Sequence, residues 1–272
     1  SFADYTRTFQ TNNLTVTPNG SEKIGGVAAS AKLLTEGQTA TFVYVDGTEG
    51  WINIQETSNS VTGEIFMTAT GGTITTSGNC KIHTFTGPGT FCVSSLATVP
   101  ANNQVSYLVV GGGGGGGNRG TSTGEAGGAG GAGGFREDKS PITPYTASPL
   151  EGAGAITVTA TGFPITVGGG GTAAPGSAQP NSLSTTRKGS NSSFSTITST
   201  GGGGGGNRSN TTPIDIAAGS PGGSGGGGSY HGPTGTGAPA GNGNAPSVSP
   251  AQGTNGGTGP AAGGGGSGGG GG

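Results

Sequence analysis

Tyr107-Leu108-Val109-Val110 passes without a break into seven glycines, Gly111 to Gly117. The four leading residues are aromatic, aliphatic and β-branched, the composition of a strand. The glycines carry no side chain, so their chemistry is the amide and carbonyl of each peptide. The join recurs: Phe163-Pro164-Ile165-Thr166-Val167 enters Gly168–Gly171, and the strand-like Phe194-Ser195-Thr196-Ile197-Thr198 soon enters Gly201–Gly206. The exit recurs as well, with Asn118-Arg119 after the first run and Asn207-Arg208 after Gly206. Later runs are Gly225–Gly228, Gly263–Gly266 and Gly268–Gly272. The spacing of the runs is irregular, which does not indicate a solenoid of equal rungs.

Such a run admits two readings. One is a flexible linker, the default for Gly/Ser-rich sequence. The other is polyglycine II, a left-handed threefold helix with polyproline II angles and no internal hydrogen bonds. Ordering each glycine costs at least about 1–2 kcal/mol. One net hydrogen bond returns about 0.5–1.5 kcal/mol. A lone helix of this kind melts, whereas a bundle shares lateral bonds in several directions and approaches balance when apolar strands anchor one end. Tyr107–Val110, Ile165–Val167 and Phe194–Ile197 are such anchors, and a linker has no need of them. That favours the bundle, with left-handed threefold geometry expected at Gly111–Gly117 and Gly201–Gly206.

Composition sharpens the division. Of 67 glycines in 272 residues, residues 1–110 hold 12 and residues 111–272 hold 55. The second segment has only fourteen large apolar residues, too few to cover an ordinary hydrophobic core. Collagen is excluded because no Gly-every-third repeat runs through the segment. Net charge is -2, with no basic excess in either part, which argues against a nucleic-acid partner. No apolar run approaches the roughly 20 residues of a membrane helix, so membrane insertion is not expected. The chain opens on Ser1, and an attachment region upstream is expected.

Residues 1–60 read as a small β module. Leu14-Thr15-Val16-Thr17 alternates and is followed by a Pro18-Asn19-Gly20 turn; Thr39–Val45 reverses at Asp46-Gly47 into Gly50–Gln55. Trp51 belongs in that module's core. Ala28–Leu34 offers at most one helical turn. Residues 61–110 read as a β unit leading into the glycines, with residues 57–70 a polar connector containing a short strand at Ile65-Phe66-Met67. Lys81–Phe85 and Thr90–Val93 are expected to form a hairpin about Pro88, pairing Phe85 with Phe91 and Thr84 with Cys92. That register holds Cys80 and Cys92 beyond disulfide reach and favours two free small hydrophobes, whereas a shifted register would leave a disulfide open. Residues 111–272 are the expected polyglycine II bundle with inter-run loops. The fold class is therefore small all-β modules followed by a polyglycine II bundle, with essentially no α-helix.

Lys81-Ile82-His83-Thr84-Phe85-Thr86-Gly87, then Tyr107-Leu108-Val109-Val110 and its glycines, resembles the glycine-rich domain common in bacteriophage structural proteins. Gly133-Gly134-Phe135-Arg136-Glu137, Phe163–Gly168 and Gly189–Phe194 fit the same pattern. Tyr5–Phe9, Asn13–Ser21, Thr35–Gly37 and Val43–Trp51 resemble a β module of phage tail fibres. The resemblance implies an extracellular virion fibre component, usually trimeric and joined to other virion proteins through an upstream region. In similar tail-fibre adhesins of T-even-type phages, polyglycine II helices pack as a sandwich and the inter-run loops contact the bacterial receptor, a glycan or an outer-membrane protein. The β modules upstream and long loops such as Ala173–Ser190 depart from that pattern.

No residue set suggests catalysis, and no cofactor or metal is expected. No phosphate loop exists, His83 belongs in a strand, and Cys80, His83 and Cys92 lack a fourth zinc ligand nearby. Glu137-Asp138 lie between Arg136 and Lys139 and read as a solvated loop. The receptor-binding candidates are Asn118, Arg119, Asn207, Arg208, Tyr230 and His231. Asn118-Arg119 and Asn207-Arg208 either hydrogen-bond a glycan or an anionic group, or cap helix-end carbonyls. Tyr230-His231 is either an exposed contact or a plug at a bundle edge. The reading is a non-enzymatic tail-fibre adhesin. Its rivals are a purely structural virion or extracellular filament spacer and a glycine-rich ice-binding protein, the last disfavoured by irregular loops.

Overall fold

A computed structural model describes residues 1–56, 66–78, 80–119, 126–175, 183–210, 213–261, 268 and 271. Residues 57–65 of the expected connector, Gly263–Gly266 and most of the last run lie outside them. Two compact units form: Ser1–Thr68 with Ser94–Asn103, and Ala69–Val93 with Gln104–Gly272. This division interleaves the chain where a boundary near residue 60 and another near 110 were expected.

The first unit is built on a hairpin. Thr39–Asp46 pairs with Gly50–Glu56, and Phe2–Ala3 adds to the far edge of the first strand. Asp46 Oδ1 accepts the amides of Glu49 and Thr48 at 2.8 Å each, which closes the Asp46-Gly47 reversal. Gly50 has a φ of 70°, and a Cβ there would overlap the Lys23 carbonyl, so glycine is required. Ile24, Ala31, Leu33 and Ala40 form the core, with Phe9, Leu14, Val16, Phe42 and Trp51 packed on it. The Trp51 indole N–H donates to Glu22 at 2.9 Å. Ala28–Leu34 forms no helical turn. Its Ala31–Leu33 is a strand paired with Leu14–Val16, because burial alternates and sets Ala31 and Leu33 inward.

In the second unit, strands gather at one end of the glycine runs. Ile197–Ser199, Ser192–Phe194, Gly162–Thr166, Gly89–Ser95 and Thr68–Thr70 are neighbours in one sheet. The expected hairpin about Pro88 does not form. Cys80–Thr84 pairs instead with Thr73–Ser77 across a turn at Gly78, whose φ is 56°, and Gly89–Ser95 pairs with Gly162–Thr166. Both cysteines are free thiols. Phe194–Thr198 is likewise no single strand: Ser195 takes a φ of 53° and reverses Ser192–Phe194 onto Ile197–Ser199. The Phe194 ring lies 5.9 Å from Phe91, 6.0 Å from Tyr107 and 6.1 Å from Phe163, centre to centre.

From that aromatic end the chain runs out and back repeatedly. Gly111–Gly117 leads outward. Ala126–Gly134 returns antiparallel, with the amides of Gly111, Gly114 and Gly117 bonding the carbonyls of Gly134, Gly131 and Gly128. Gly168–Gly171 and Gly201–Gly206 lead outward again, parallel to the first run: Gly202, Gly205 and Arg208 donate to Gly112, Gly115 and Asn118. Gly203, Gly206 and Ser209 donate to Ser224, Gly227 and Tyr230 of the next outward run. Partners change face with every residue and return at every third, the signature of a threefold helix. No glycine in Gly111–Gly117 or Gly201–Gly206 has positive φ, which selects the left-handed form.

Gly201–Gly206 lies at the centre, and the accounting there is complete. All six of its amides donate outward, to Asn191 Oδ1, Gly112, Ser224, Ser220 Oγ, Gly115 and Gly227 in turn. All six carbonyls accept, from Gly223, Gly189, Gly131, Ser220, Arg187 and Gly128. Such saturation is what lets a segment without side chains stay ordered.

The Phe135–Asp138 strand corrects another expectation. Glu137 and Asp138 are not a solvated loop: the strand pairs with Tyr107–Val110, and Arg136, Glu137 and Asp138 are all buried. Glu137 Oε2 accepts the Ser148 amide at 2.9 Å and Asp138 Oδ2 accepts the Gly154 amide at 3.0 Å. Arg136 donates from Nη2 to the Ala153 carbonyl at 3.2 Å, while its Nε and Nη1 are buried without a hydrogen-bond partner among the described residues. The Tyr107 hydroxyl donates to the Gly154 carbonyl at 2.6 Å.

Burial, then the Asp138 charge, pushes Tyr107 up to about 12, and burial, then Glu137, does the same to Tyr145. Both raised groups stabilise the fold fully below their ordinary value of 10.0, and that stabilisation is lost as pH rises through 12. The thermal midpoint is therefore expected to fall between pH 10 and 12, in step with tyrosinate absorbance. Tyr107→Phe should flatten part of that fall. A midpoint unchanged up to pH 12 would contradict the placement of these hydroxyls.

Candidate functional site at the free end of the glycine bundle

Because outward and returning runs alternate, the links after Asn118, Arg208, Tyr230 and Pro260 leave from the same end, opposite the strands. That end brings the candidate residues together. Asn118 and Asn207 are 4% and 0% exposed, and Asn207 Oδ1 accepts the Asn118 amide at 2.8 Å. The bond continues a row: Gly112 and Gly115 donate to Ser190 and Arg187, and the next donor in that row, Asn118, meets the Asn207 side chain. Asn207 therefore caps an amide, where a cap for carbonyls was expected. Its burial, with that of Asn118, leaves neither side chain a surface to present.

Arg119 is exposed. Arg208 is partly buried, and its guanidinium lies over the Tyr230 ring at 5.4 Å from the centroid. Tyr230–His231 pairs with Thr236–Gly237 as a short hairpin. His231 is 1% exposed, with Nδ1 3.0 Å from Thr234 Oγ1, so it is a plug at this end and not an exposed tip. Exposed Thr234 and Thr236 stand beside it, their hydroxyls 2.7 Å apart.

Residues 84–272 match the model of a family described as a glycine-rich domain. The chain belongs to that family. No curated protein and no solved structure matches it. The matched region thus begins before the first run and takes in Gly89–Ser95 and Tyr107–Val110, while Thr68–Thr70 and Thr73–Ser77 lie before it. Among the described residues, no group of three or more His, Cys, Asp or Glu is placed to hold a metal ion.

Sequence reasoning missed Arg187. Its side chain is 3% exposed and donates from Nε and Nη2 to the Gly205 carbonyl, one turn before the free end of the bundle. Burial lowers its pKa. A lone Arg-Lys pair between loop-like residues gave no signal for that role. Loss of the Asn207 cap is expected to matter in the same region. Asn207→Ala leaves a buried amide unpaired, at a cost of about 1–3 kcal/mol. Hydrogen exchange should then speed at Asn118 before it does at Gly112; uniform exchange along the run would refute the cap.

Proposed function

We propose that this chain is a non-enzymatic component of a bacteriophage virion fibre, and that it attaches the particle to the host surface through the free end of its glycine bundle. The carrying observation is the gathering of Arg119, Arg208 and Tyr230, with exposed Thr234 and Thr236, at the end opposite the strands. A saturated lattice gives those groups a stiff support, and loop side chains on a rigid scaffold are suited to recognition. In this reading the chain works as an oligomer, a trimer by analogy with phage fibres, outside the cell and joined to other virion proteins through upstream sequence. Its partner is a bacterial surface glycan or outer-membrane protein.

One observation favours a second reading. Asn118, Asn207 and His231 are spent inside the bundle, which suits a spacer that binds nothing. Binding of the labelled chain to a panel of bacterial cells separates the two. The adhesin reading expects saturable binding to some strains, weakened at least about tenfold by Arg119→Ala with Tyr230→Ala. The spacer reading expects none on any strain.

A further inference from the structure

In a lattice that pairs its peptide groups, one row of the first run stays unpaired. The amides of Gly111, Gly114 and Gly117 bond the returning run, and those of Gly112, Gly115 and Asn118 bond Ser190, Arg187 and the Asn207 side chain. The third row, the amides of Gly113 and Gly116, has no acceptor among the described residues, although their carbonyls accept the amides of Gly171 and Ala174. Gly168–Gly171 and its continuation to Ala174 form the neighbouring edge of the bundle. Gly169, Gly170, Thr172 and Ala173 are exposed there, and their amides likewise meet no acceptor among the described residues.

The choice of residue at this edge is a second, independent observation. At every other glycine of Gly111–Gly117, and throughout Gly201–Gly206, a Cβ would overlap neighbouring backbone, so glycine is demanded from within the chain. At Gly113, Gly116 and Gly170 the nearest atom to such a Cβ lies 3.9, 3.8 and 3.6 Å away, at Gly169 nothing lies within 4 Å, and none of the four has positive φ. Alanine would fit at all four and would lower the entropy lost on folding. The two runs meet here, since the atom facing the Gly170 position is the Gly113 carbonyl oxygen. Other exposed positions on the lattice do carry side chains: Ala126 and Ala129 on the returning run, Thr254, Asn255 and Thr258 on a later one. Gly268 and Gly271 are also open, in a run that lies mostly outside the described residues. A bare edge with unpaired amides is what the close approach of another backbone needs.

We infer that this edge joins two copies of the chain: the amides of Gly113 and Gly116 in one copy donate to carbonyls of the Gly168–Ala174 edge in the other, and the lattice continues from chain to chain. The occupant is a second copy because each chain carries both halves of the contact, already held in the extended form that pairing requires. Neither Gly111–Gly117 nor Gly168–Ala174 holds a charged residue to repel its like. Both directions of pairing already occur inside the chain, antiparallel between the first run and Ala126–Gly134 and parallel between it and Gly201–Gly206. A seven-residue run spans about 22 Å, a strip well under the roughly 800 Å² per partner of a stable complex. The contact is therefore weak, and it forms at high concentration or between chains already tethered in one fibre. It goes beyond the attachment reading and does not depend on it.

The test follows the full chain by sedimentation and by residue-resolved hydrogen exchange from about 10 μM to about 1 mM, the range that tethering supplies. The mass should come to exceed that of one chain. Over the same range the amides of Gly113 and Gly116 should slow at least about tenfold, while those of Gly111, Gly114 and Gly117 stay as they were. Gly113→Glu and, separately, Gly170→Glu place a side chain in space that is open in the single chain and lies in the path of the partner. Each should keep the parent's thermal midpoint and lose the association; two sites are used so that a folding defect at one leaves the other to decide. Thr258→Glu, at an exposed position on a run bonded to neither edge member, should associate as the parent does. Fast exchange at Gly113 and Gly116 at every concentration, or association undiminished in both edge variants, would overturn the inference. So would their protection in a chain that sediments alone, because a segment of the same chain would then fill the position.

Discussion

Gly205→Ala is expected to disrupt the bundle, while Gly169→Ala, a change of the same size in a neighbouring run, leaves it intact or firmer. Gly205 sits in the central run, where a Cβ would overlap the Gly128 carbonyl oxygen and stand 2.6 Å from its carbon. The obstacle is backbone on a returning run that is itself bonded to Gly117 and Gly206, so neither side can give way alone. Overpacking of a rigid site costs about 1–3 kcal/mol and more where nothing relaxes. With total stability of about 5–15 kcal/mol, one such methyl removes a large share. At Gly169 a Cβ meets nothing within 4 Å, and φ is not positive. Alanine there restricts the unfolded chain and should add about 0.4–1 kcal/mol. Chemical denaturation of the two variants side by side checks this. Equal destabilisation by both would mean that Gly205 is not packed as described.

Phe194→Ala is expected to have an effect of similar size by the opposite route. Phe194 is 8% exposed and meets Phe91, Tyr107 and Phe163 with edge-on rings. Removing it opens a cavity among strands that launch Gly111–Gly117, Gly168–Gly171 and Gly201–Gly206. Buried Phe→Ala changes cost about 3–5 kcal/mol. The glycine runs contribute almost no apolar burial, so this plate is the main apolar support of their strand end. Hydrogen exchange in Gly201–Gly206 should accelerate in the variant although no contact of those glycines is touched. Unchanged protection there would show that the lattice stands without its anchor.

The bundle was legible because strand-to-glycine joins leave few alternatives: Tyr107–Val110 and Phe163–Val167 needed somewhere to pack, and the glycines had only peptide groups to offer. The Ala-Gly-Gly triplet at Ala126–Gly134 was a further signal that went unread. Ala126 and Ala129 face outward at three-residue spacing while Gly128, Gly131 and Gly134 face inward. Strand pairing was harder. Gly87-Pro88-Gly89 resembles a hairpin turn, yet Thr73–Ser77 took Cys80–Thr84 as its partner, since a Thr-rich run reads as polar linker until its mate is known. The buried charges of Glu137 and Asp138 were also hidden, because the amides that meet them come from Ser148 and Gly154, outside their own strand. At the free end, Asn-Arg repeats where two parallel runs finish, but nothing in the sequence told that Asn118 and Asn207 would be buried.

The row of bonds at every third residue also governs how such a chain can change length. One glycine added to Gly201–Gly206 would turn everything beyond it by a third of a revolution and misalign every later amide. Three added together would restore each donor to its acceptor and extend the shaft by about 9 Å. Growth of the lattice is thus quantised in triplets, whereas the links at its tip are under no such rule and can be exchanged at any length.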